Sequence, residues 1–226
     1  MAKIVFYSAQ TGKNGFIQSI KEQQIPEFEY WFLHDNHHEA LSHKGWNYID
    51  ISDFLKEKSN PKRNRFIKMI PYHFFKECEY TIWIDCKFYL PKKFFEDCYR
   101  IINDDKPDFM CCKNPTRATL EQELNHMKTK RNFTDLELSY AKSFIDTNIW
   151  FSTDLCWLIR KNNKTNDEIG KKWFDLTDKC YPDYLGQVRD QLTFPTVIKN
   201  KDYLNMKYSV DELYKFVNHH REKQYI

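Results

Sequence analysis

A short apolar run that ends on a carboxylate limits what this chain can become more than any other stretch. It reads Thr81-Ile82-Trp83-Ile84-Asp85-Cys86-Lys87-Phe88-Tyr89-Leu90. Its β-branched and aromatic opening predicts a buried strand. The strand delivers Asp85 at its C-terminal end. In open α/β sheets, ligands sit outside the carboxyl ends of the strands. An ionised Asp after such a run needs a partner: a metal, a cation or ligand hydroxyls. The plain alternative is a turn-forming Asp.

The flanking pattern predicts an α/β sheet. Lys3 to Tyr7, Phe28 to Leu33 and Trp46 to Ile51 read as strands. The loop Ser8 to Gly15 is small and polar, so a nucleotide could approach its backbone. It carries neither a phosphate-loop nor a dinucleotide fingerprint. Pro61 suits the first turn of a helix running to about Phe75, with Phe66, Ile67, Ile70 and Phe74 on its apolar face. The same segment holds Lys56, Lys58, Lys62, Arg63, Arg65 and Lys68. Arg63, Arg65 and Lys68 could face an anion; a solvated basic face and a nucleic-acid patch with interleaved aromatics are the other readings.

Further helices are expected over Lys92 to Ile102, from a Thr116 cap to about Lys128, over Asp135 to Phe144 and over Asn166 to Lys179. Glu121 and Glu123 fall in early turns, where the helix dipole favours anions. Asp108 to Cys112 reads as strand, and Ile149 to Phe151 with Leu155 to Ile159 as strand or buried loop. In Gln187-Val188-Arg189-Asp190-Gln191-Leu192-Thr193-Phe194, apolar Val188, Leu192 and Phe194 bury the segment. Arg189, Asp190 and Gln191 then pair inside the core or face a cleft. Val210 to His219 reads as a last helix before a polar tail.

Composition excludes several classes. The chain has 226 residues and is 41% apolar, enough for one packed domain over 1–226, with its core at about 3–200. A net charge of +3 does not by itself argue for nucleic-acid or membrane binding. Seven Cys, an odd number with no C-x-x-C pair, fit free thiols in a reducing compartment better than disulfides or a zinc site. No apolar run is long enough to span a membrane, and the N-terminus lacks a signal-peptide pattern. The expectation is a cytoplasmic protein without an integral membrane segment. His34-Asp35-Asn36-His37-His38-Glu39 with His43 looks like a metal cluster, yet it follows a strand and reads as loop.

Three blocks carry a resemblance. Asn64-Arg65-Phe66-Ile67-Lys68-Met69-Ile70-Pro71-Tyr72-His73-Phe74-Phe75 with Tyr80 to Asp85 resembles the signature of a glycosyltransferase-like family that includes plant mucilage-related and many bacterial proteins. Asn114-Pro115-Thr116-Arg117 resembles that family's His-Pro-x-Arg turn. Arg189-Asp190-Gln191-Leu192-Thr193-Phe194 resembles its Arg-Asp-Gln-Leu-Ser-Phe element. The blocks are in family order and cover the chain from Lys3 to about Ile198. The layout is also similar to the glycogenin-like transferases.

The resemblance implies a GT-A-like (Rossmann-like) mixed sheet flanked by helices, in a single domain. It implies a hexosyl- or pentosyltransferase that moves a sugar from a nucleotide-diphosphate donor, a UDP-sugar foremost, to a glycan or other hydroxyl acceptor. It sets Tyr7, Ala9 and Asp35 near the nucleoside, and Arg65 and Lys68 beside the diphosphate or Asp85. Asp85 becomes the first acid of an Asp-x-Asp-like metal site. Asp190 and Gln191 face the transferred sugar or the acceptor, with retention preferred and Asp190 as the base if the reaction inverts. The sequence departs from the pattern at the second acid, where Lys87 stands. That puts a divalent cation, manganese or magnesium, in doubt. Either Asp85 holds an ion with another group such as Asp190 or a C-terminal His, or Lys87, Lys68 and Arg65 supply the charge themselves. An inactive nucleotide- or glycan-binding module of the same fold is the alternative.

Overall fold

A computed structural model describes residues 3–12, 17–35, 44–114, 116–146, 148–149, 151–182 and 189–208. His37, His38, Glu39 and His43, Gln187 and Val188, the helix expected over 210–219 and the polar tail lie outside the described residues.

Seven strands form one mixed sheet: β1 (Ile4–Gln10), β2 (Phe28–His34), β3 (Asn47–Asp50), β4 (Tyr80–Ile84), β5 (Phe109–Lys113), β6 (Thr153–Lys161) and β7 (Leu204–Asn205). Their order is β3-β2-β1-β4-β6-β5-β7. β3, β2, β1 and β4 run parallel. β6 runs antiparallel to both β4 and β5, and β5 is parallel to β7. Among the described residues six α-helices flank the sheet: α1 (Asn60–Met69), α2 (Lys92–Asp104), α3 (Leu120–Lys130), α4 (Asp135–Lys142), α5 (Lys164–Cys180) and α6 (Asp190–Ile198). None of them is long and apolar enough to cross a membrane.

The central strands are apolar on both faces, as a sheet covered on both sides requires. Alternation along β1 and β4 divides them between two cores. Val5, Tyr7, Ala9 and Trp83 face the core shared with Ile67 and Met69 of α1 and Trp173 of α5. Ile4, Phe6, Ile82 and Ile84 face the other core, with Phe94 and Phe95 of α2.

Several boundaries differ from the sequence expectation. β1 extends to Gln10 because its parallel register on β2 continues to His34. α1 stops at Met69 and a 3₁₀ turn, Pro71–His73, follows. Proline disfavours the helical region for the residue before it, and Ile70 sits at φ −122°, ψ 62°. The N-cap of α3 is Thr119 rather than Thr116, because Gln122 closes a capping box there. Ile149 and Phe151 lie outside the strands, and Leu155 to Ile159 falls within a single long strand, β6.

The basic run has a different fate from either a solvated face or a nucleic-acid patch. Lys62 and Arg63 are buried. Lys62 Nζ stands 2.6 Å and Lys58 Nζ 2.9 Å from Asp178 on α5, and Arg63 Nη1 stands 2.9 Å from Asp35. These cations staple α1 to its neighbours, and Arg63 does not share the position of Arg65 and Lys68.

Candidate active site

The parallel strands end at one edge of the sheet, and three segments meet there. Asp85 follows β4 directly. Side chains two apart in a strand share a face. Asp85 therefore emerges on the side of Trp83, which is also the side covered by α1. Trp83 Nε1 donates to Asp85 Oδ1 at 3.0 Å. The antiparallel β6 starts at this edge: Ile84 pairs with Trp157, and Asp85 N–H donates to the Cys156 carbonyl at 2.9 Å. Asp154, Leu155 and Cys156 thus arrive beside Asp85. β5 ends here too, so the turn after it delivers Arg117. Asn114 Oδ1 holds that turn by accepting from the Thr116 and Arg117 N–H groups at 3.2 and 3.1 Å.

These segments, with α1, α3 and the start of α6, enclose a cleft of about 440 Å³. Arg65, Lys68, Asp85 and Lys87 line it from α1 and β4. Arg117, His126, Arg131 and Phe133 line it from α3 and its flanks, and Arg189, Asp190 and Gln191 from α6. Six guanidinium or ammonium groups face three carboxylates, Asp85, Asp154 and Asp190. A low-dielectric cleft with that surplus attracts an anion.

The cations are held in place. Lys68 Nζ lies 2.6 Å from Asp190 Oδ2, and Arg65 Nε lies 3.4 Å from the same oxygen. Burial pushes the Asp190 carboxyl up, but the charges of Arg65 and Lys68, the Lys68 hydrogen bond and Arg189 outweigh it and hold Asp190 well below the usual carboxylate range. A carboxylate so stabilised accepts a proton poorly. Lys87 Nζ stands 3.6 Å from Asp85 Oδ2, with its side chain 61% exposed. Behind the cleft, the C-terminal end of α1 is tied to the sheet. Tyr7 donates to the Lys68 carbonyl at 3.1 Å. Arg160, 1% exposed, donates to the carbonyls of Lys68 and Met69 at 2.7 and 3.2 Å and also to the Tyr7 hydroxyl. These bonds fix the last turn of α1, and with it the direction of Arg65 and Lys68.

Of the expected site residues, the structure brings Arg65, Lys68, Asp85, Lys87, Asp190 and Gln191 into one cleft. Tyr7, Ala9 and Asp35 do not line it. Tyr7 and Ala9 are packed in the core. Asp35 accepts from the Gly12 N–H at 2.9 Å and pairs with Arg63. Asp154, Arg117, His126 and Arg131 join the site without having been expected there. Cys156 also lines it, but burial and then the Asp154 charge push its thiol well above the ordinary range, so it is not a nucleophile at neutral pH.

The donor set can be weighed against a divalent ion. Such an ion takes several oxygen ligands. Asp85 Oδ1 is engaged by Trp83, Asp190 by Lys68 and Arg65, and Asp154 Oδ1 by the Cys156 N–H at 3.1 Å. Among the described residues no three His, Cys, Asp or Glu side chains gather to hold a metal. These residues do not fit an ion held by a protein acid pair; the second acid's place is taken by Lys87, whose ammonium faces Asp85.

A seven-stranded mixed sheet, helices on both faces and a charged cleft at the edge where the parallel strands end define an α/β protein of GT-A-like fold. No family profile and no curated protein matches the chain. Among solved structures, the apo form of mouse xyloside xylosyltransferase 1 is similar over 90% of this chain and 84% of that one, at 9% identity and a TM-score of 0.50. The Mn/GDP form of core-mannan synthase A from Aspergillus fumigatus matches over 92% of this chain and 73% of its own, at 8% identity and a TM-score of 0.48. A CMP:2-keto-3-deoxy-manno-octonic acid synthetase complexed with CTP matches at 13% identity and a TM-score of 0.37, over 50% of this chain, which spans 53% of that protein's length. At 9% identity the likeness to the xylosyltransferase is one of fold alone.

Proposed function

We propose that this chain is a glycosyltransferase that moves a sugar from a nucleotide-diphosphate donor, a UDP-sugar foremost, to a glycan or other hydroxyl acceptor. We propose further that it belongs with the family of plant mucilage-related and bacterial proteins that its sequence blocks resemble. The observation that carries the reading is one cleft holding Asp85 at a strand end together with Arg65, Lys68 and Lys87. Negative charge develops on the leaving diphosphate as the glycosyl bond breaks. Fixed cations stabilise that charge without reorganisation. In this reading Lys87, Lys68 and Arg65 take the diphosphate and Asp85 the donor's hydroxyls. Asp190 positions the cations and, being a poor base, argues for retention over an inversion that it would have to drive. Gln191 lines the cleft, and its buried Oε1 accepts no hydrogen bond among the described residues. A sugar hydroxyl would satisfy it.

The test is incubation with a panel of nucleotide sugars, with and without manganese, reading nucleotide release and thermal shift. A ligand at about a hundred times its Kd adds about 2.7 kcal/mol of stability, a readily measured rise in Tm. No response to any nucleotide refutes the reading. The pairing of Lys87 with Asp85 favours one second reading, a nucleotide- or glycan-binding module without turnover. Binding without release supports it, most of all where Lys87→Asp brings manganese-dependent release that the parent lacks.

A further inference from the structure

We propose that the α3 side of the cleft is a second anion subsite, which takes an acceptor carrying a phosphate monoester or carboxylate. The inference rests on the transferase reading for what occupies the Asp85 side. Glu123 is 0% exposed and receives two arginines, Arg189 Nε at 2.7 Å on Oε1 and Arg117 Nε on Oε2. Two guanidiniums thus share one carboxylate, and both line the cleft. Each is bound to Glu123 through Nε, and Arg117 Nη1 also donates to Thr116 Oγ1 at 3.1 Å, so both guanidiniums are held while their remaining terminal N–H groups can meet an oxyanion. Arg131, which caps the C-terminal end of α3, adds a third guanidinium to the same lining.

His126 reports how close these charges are. Burial, and then Arg117, Arg189 and Arg131, hold its imidazole below the ordinary value against the pull of Glu123. It is therefore neutral at pH 7 and adds a hydrogen-bonding group rather than charge. Three arginines stand against Glu123, with Arg189 also acting on Asp190, and this side keeps a surplus of positive charge. The donor's diphosphate is already provided for by Arg65, Lys68 and Lys87. Arg189 directly precedes Asp190 and Gln191, so the surplus borders the place where the acceptor meets the transferred sugar. An anionic group on that acceptor is the chemistry that fits.

The experiment is calorimetric titration of the full chain with glucose 6-phosphate, glucuronate and glucose, each with and without saturating UDP. We expect the phosphate or the carboxylate sugar to bind, glucose to bind far more weakly, and UDP to leave the affinity within about threefold. Arg117→Gln and Arg131→Gln should each weaken the anionic sugar about tenfold, the scale of one charge-assisted hydrogen bond, with UDP affinity little changed. Arg131 is exposed at a helix end, so its variant keeps the test alive if Arg117→Gln does not fold. Binding of glucose 6-phosphate alone assigns a phosphorylated acceptor; glucuronate alone assigns an acidic sugar. Two outcomes overturn the proposal: neither anion binding better than glucose, or UDP displacing both. If UDP never binds while the anionic sugar does, the transferase reading fails and the subsite stands.

Discussion

Replacing Asp190 by Asn tests the central charge arrangement. Lys68 is 3% exposed, with its ammonium 2.6 Å from Asp190 and 5.9 Å from the Trp173 ring centroid. It is almost wholly buried where it borders the cleft. The variant keeps the shape but leaves that ammonium uncompensated. Breaking a buried pair from one side costs about 3–5 kcal/mol. Arg65, with a quarter of its side chain exposed, can turn to solvent, so the low end, about 3 kcal/mol, applies. For a chain of this length that is a fall in Tm of about 10 °C. Removing the ammonium as well, in Lys68→Met with Asp190→Asn, should restore all but about 1 kcal/mol. Urea unfolding of the four proteins gives the coupling directly. Its pH course is also set. Asp190 titrates below its unfolded value of 3.8, so the pair's contribution is complete above about pH 4 and is lost only as pH falls further. The gap between parent and Asp190→Asn should be flat from pH 8 to 5 and narrow in stronger acid. A single-variant loss under about 1 kcal/mol, or a double variant as damaged as the two singles together, refutes the reasoning.

Two further measurements probe the scaffold. A Cβ on Gly170 of α5 would stand 2.2 Å from the Met69 carbonyl oxygen. Gly170→Ala must therefore push α5 off the end of α1, costing about 1–3 kcal/mol despite the better helix propensity of Ala; an unchanged urea midpoint would show that the two helices do not meet so closely. All seven Cys are free, and Cys86 is the one among them that is not fully buried. Burial, and then the Asp85 charge, push its thiol up to about 11. Native alkylation should be slow at pH 7.5 and speed up nearly tenfold per pH unit to pH 9.5, with seven thiols reacting in denaturant; a fast native thiol at neutral pH would contradict that environment.

Much of the fold was legible because periodicity and burial agree in it. β1, β2 and β4 are apolar on both faces, as covered parallel strands are, and α2 shows its apolar stripe openly through Phe94, Phe95, Cys98, Ile101 and Ile102. Where boundaries differ from expectation, a specific side chain decides them. Thr116 and Thr119 are equally good caps by type, and only Gln122, reaching back to the Thr119 N–H, selects the second. The charge run of α1 was opaque because its partners are distant in sequence. Nothing local tells Lys62, which is buried against Asp178, from Arg65, which reaches the cleft; the difference lies in where α5 crosses.

The site divides along the same line. Asp85 stood out because a carboxylate after a buried strand is costly without a partner, and Asp190 because a charged cluster in an apolar segment is costly too. Both signals are local. Asp154 gives none: it lies in a strand-like stretch, and only the antiparallel pairing of β6 with β4 brings it to the edge where Asp85 emerges. Glu123 misleads outright. At the fourth position of a helix its carboxylate reads as a dipole-favoured surface acid, yet it is fully buried beneath two arginines that lie far from each other in sequence. Arg117 follows β5 and Arg189 opens α6, so only the strand order and the packing of α3 on α6 make them neighbours. The positive charge of the cleft is therefore a property of topology. It survives any change in helix α1 that spares Arg65 and Lys68, and on the α3 side its arrangement depends on Glu123, which draws Arg117 and Arg189 together.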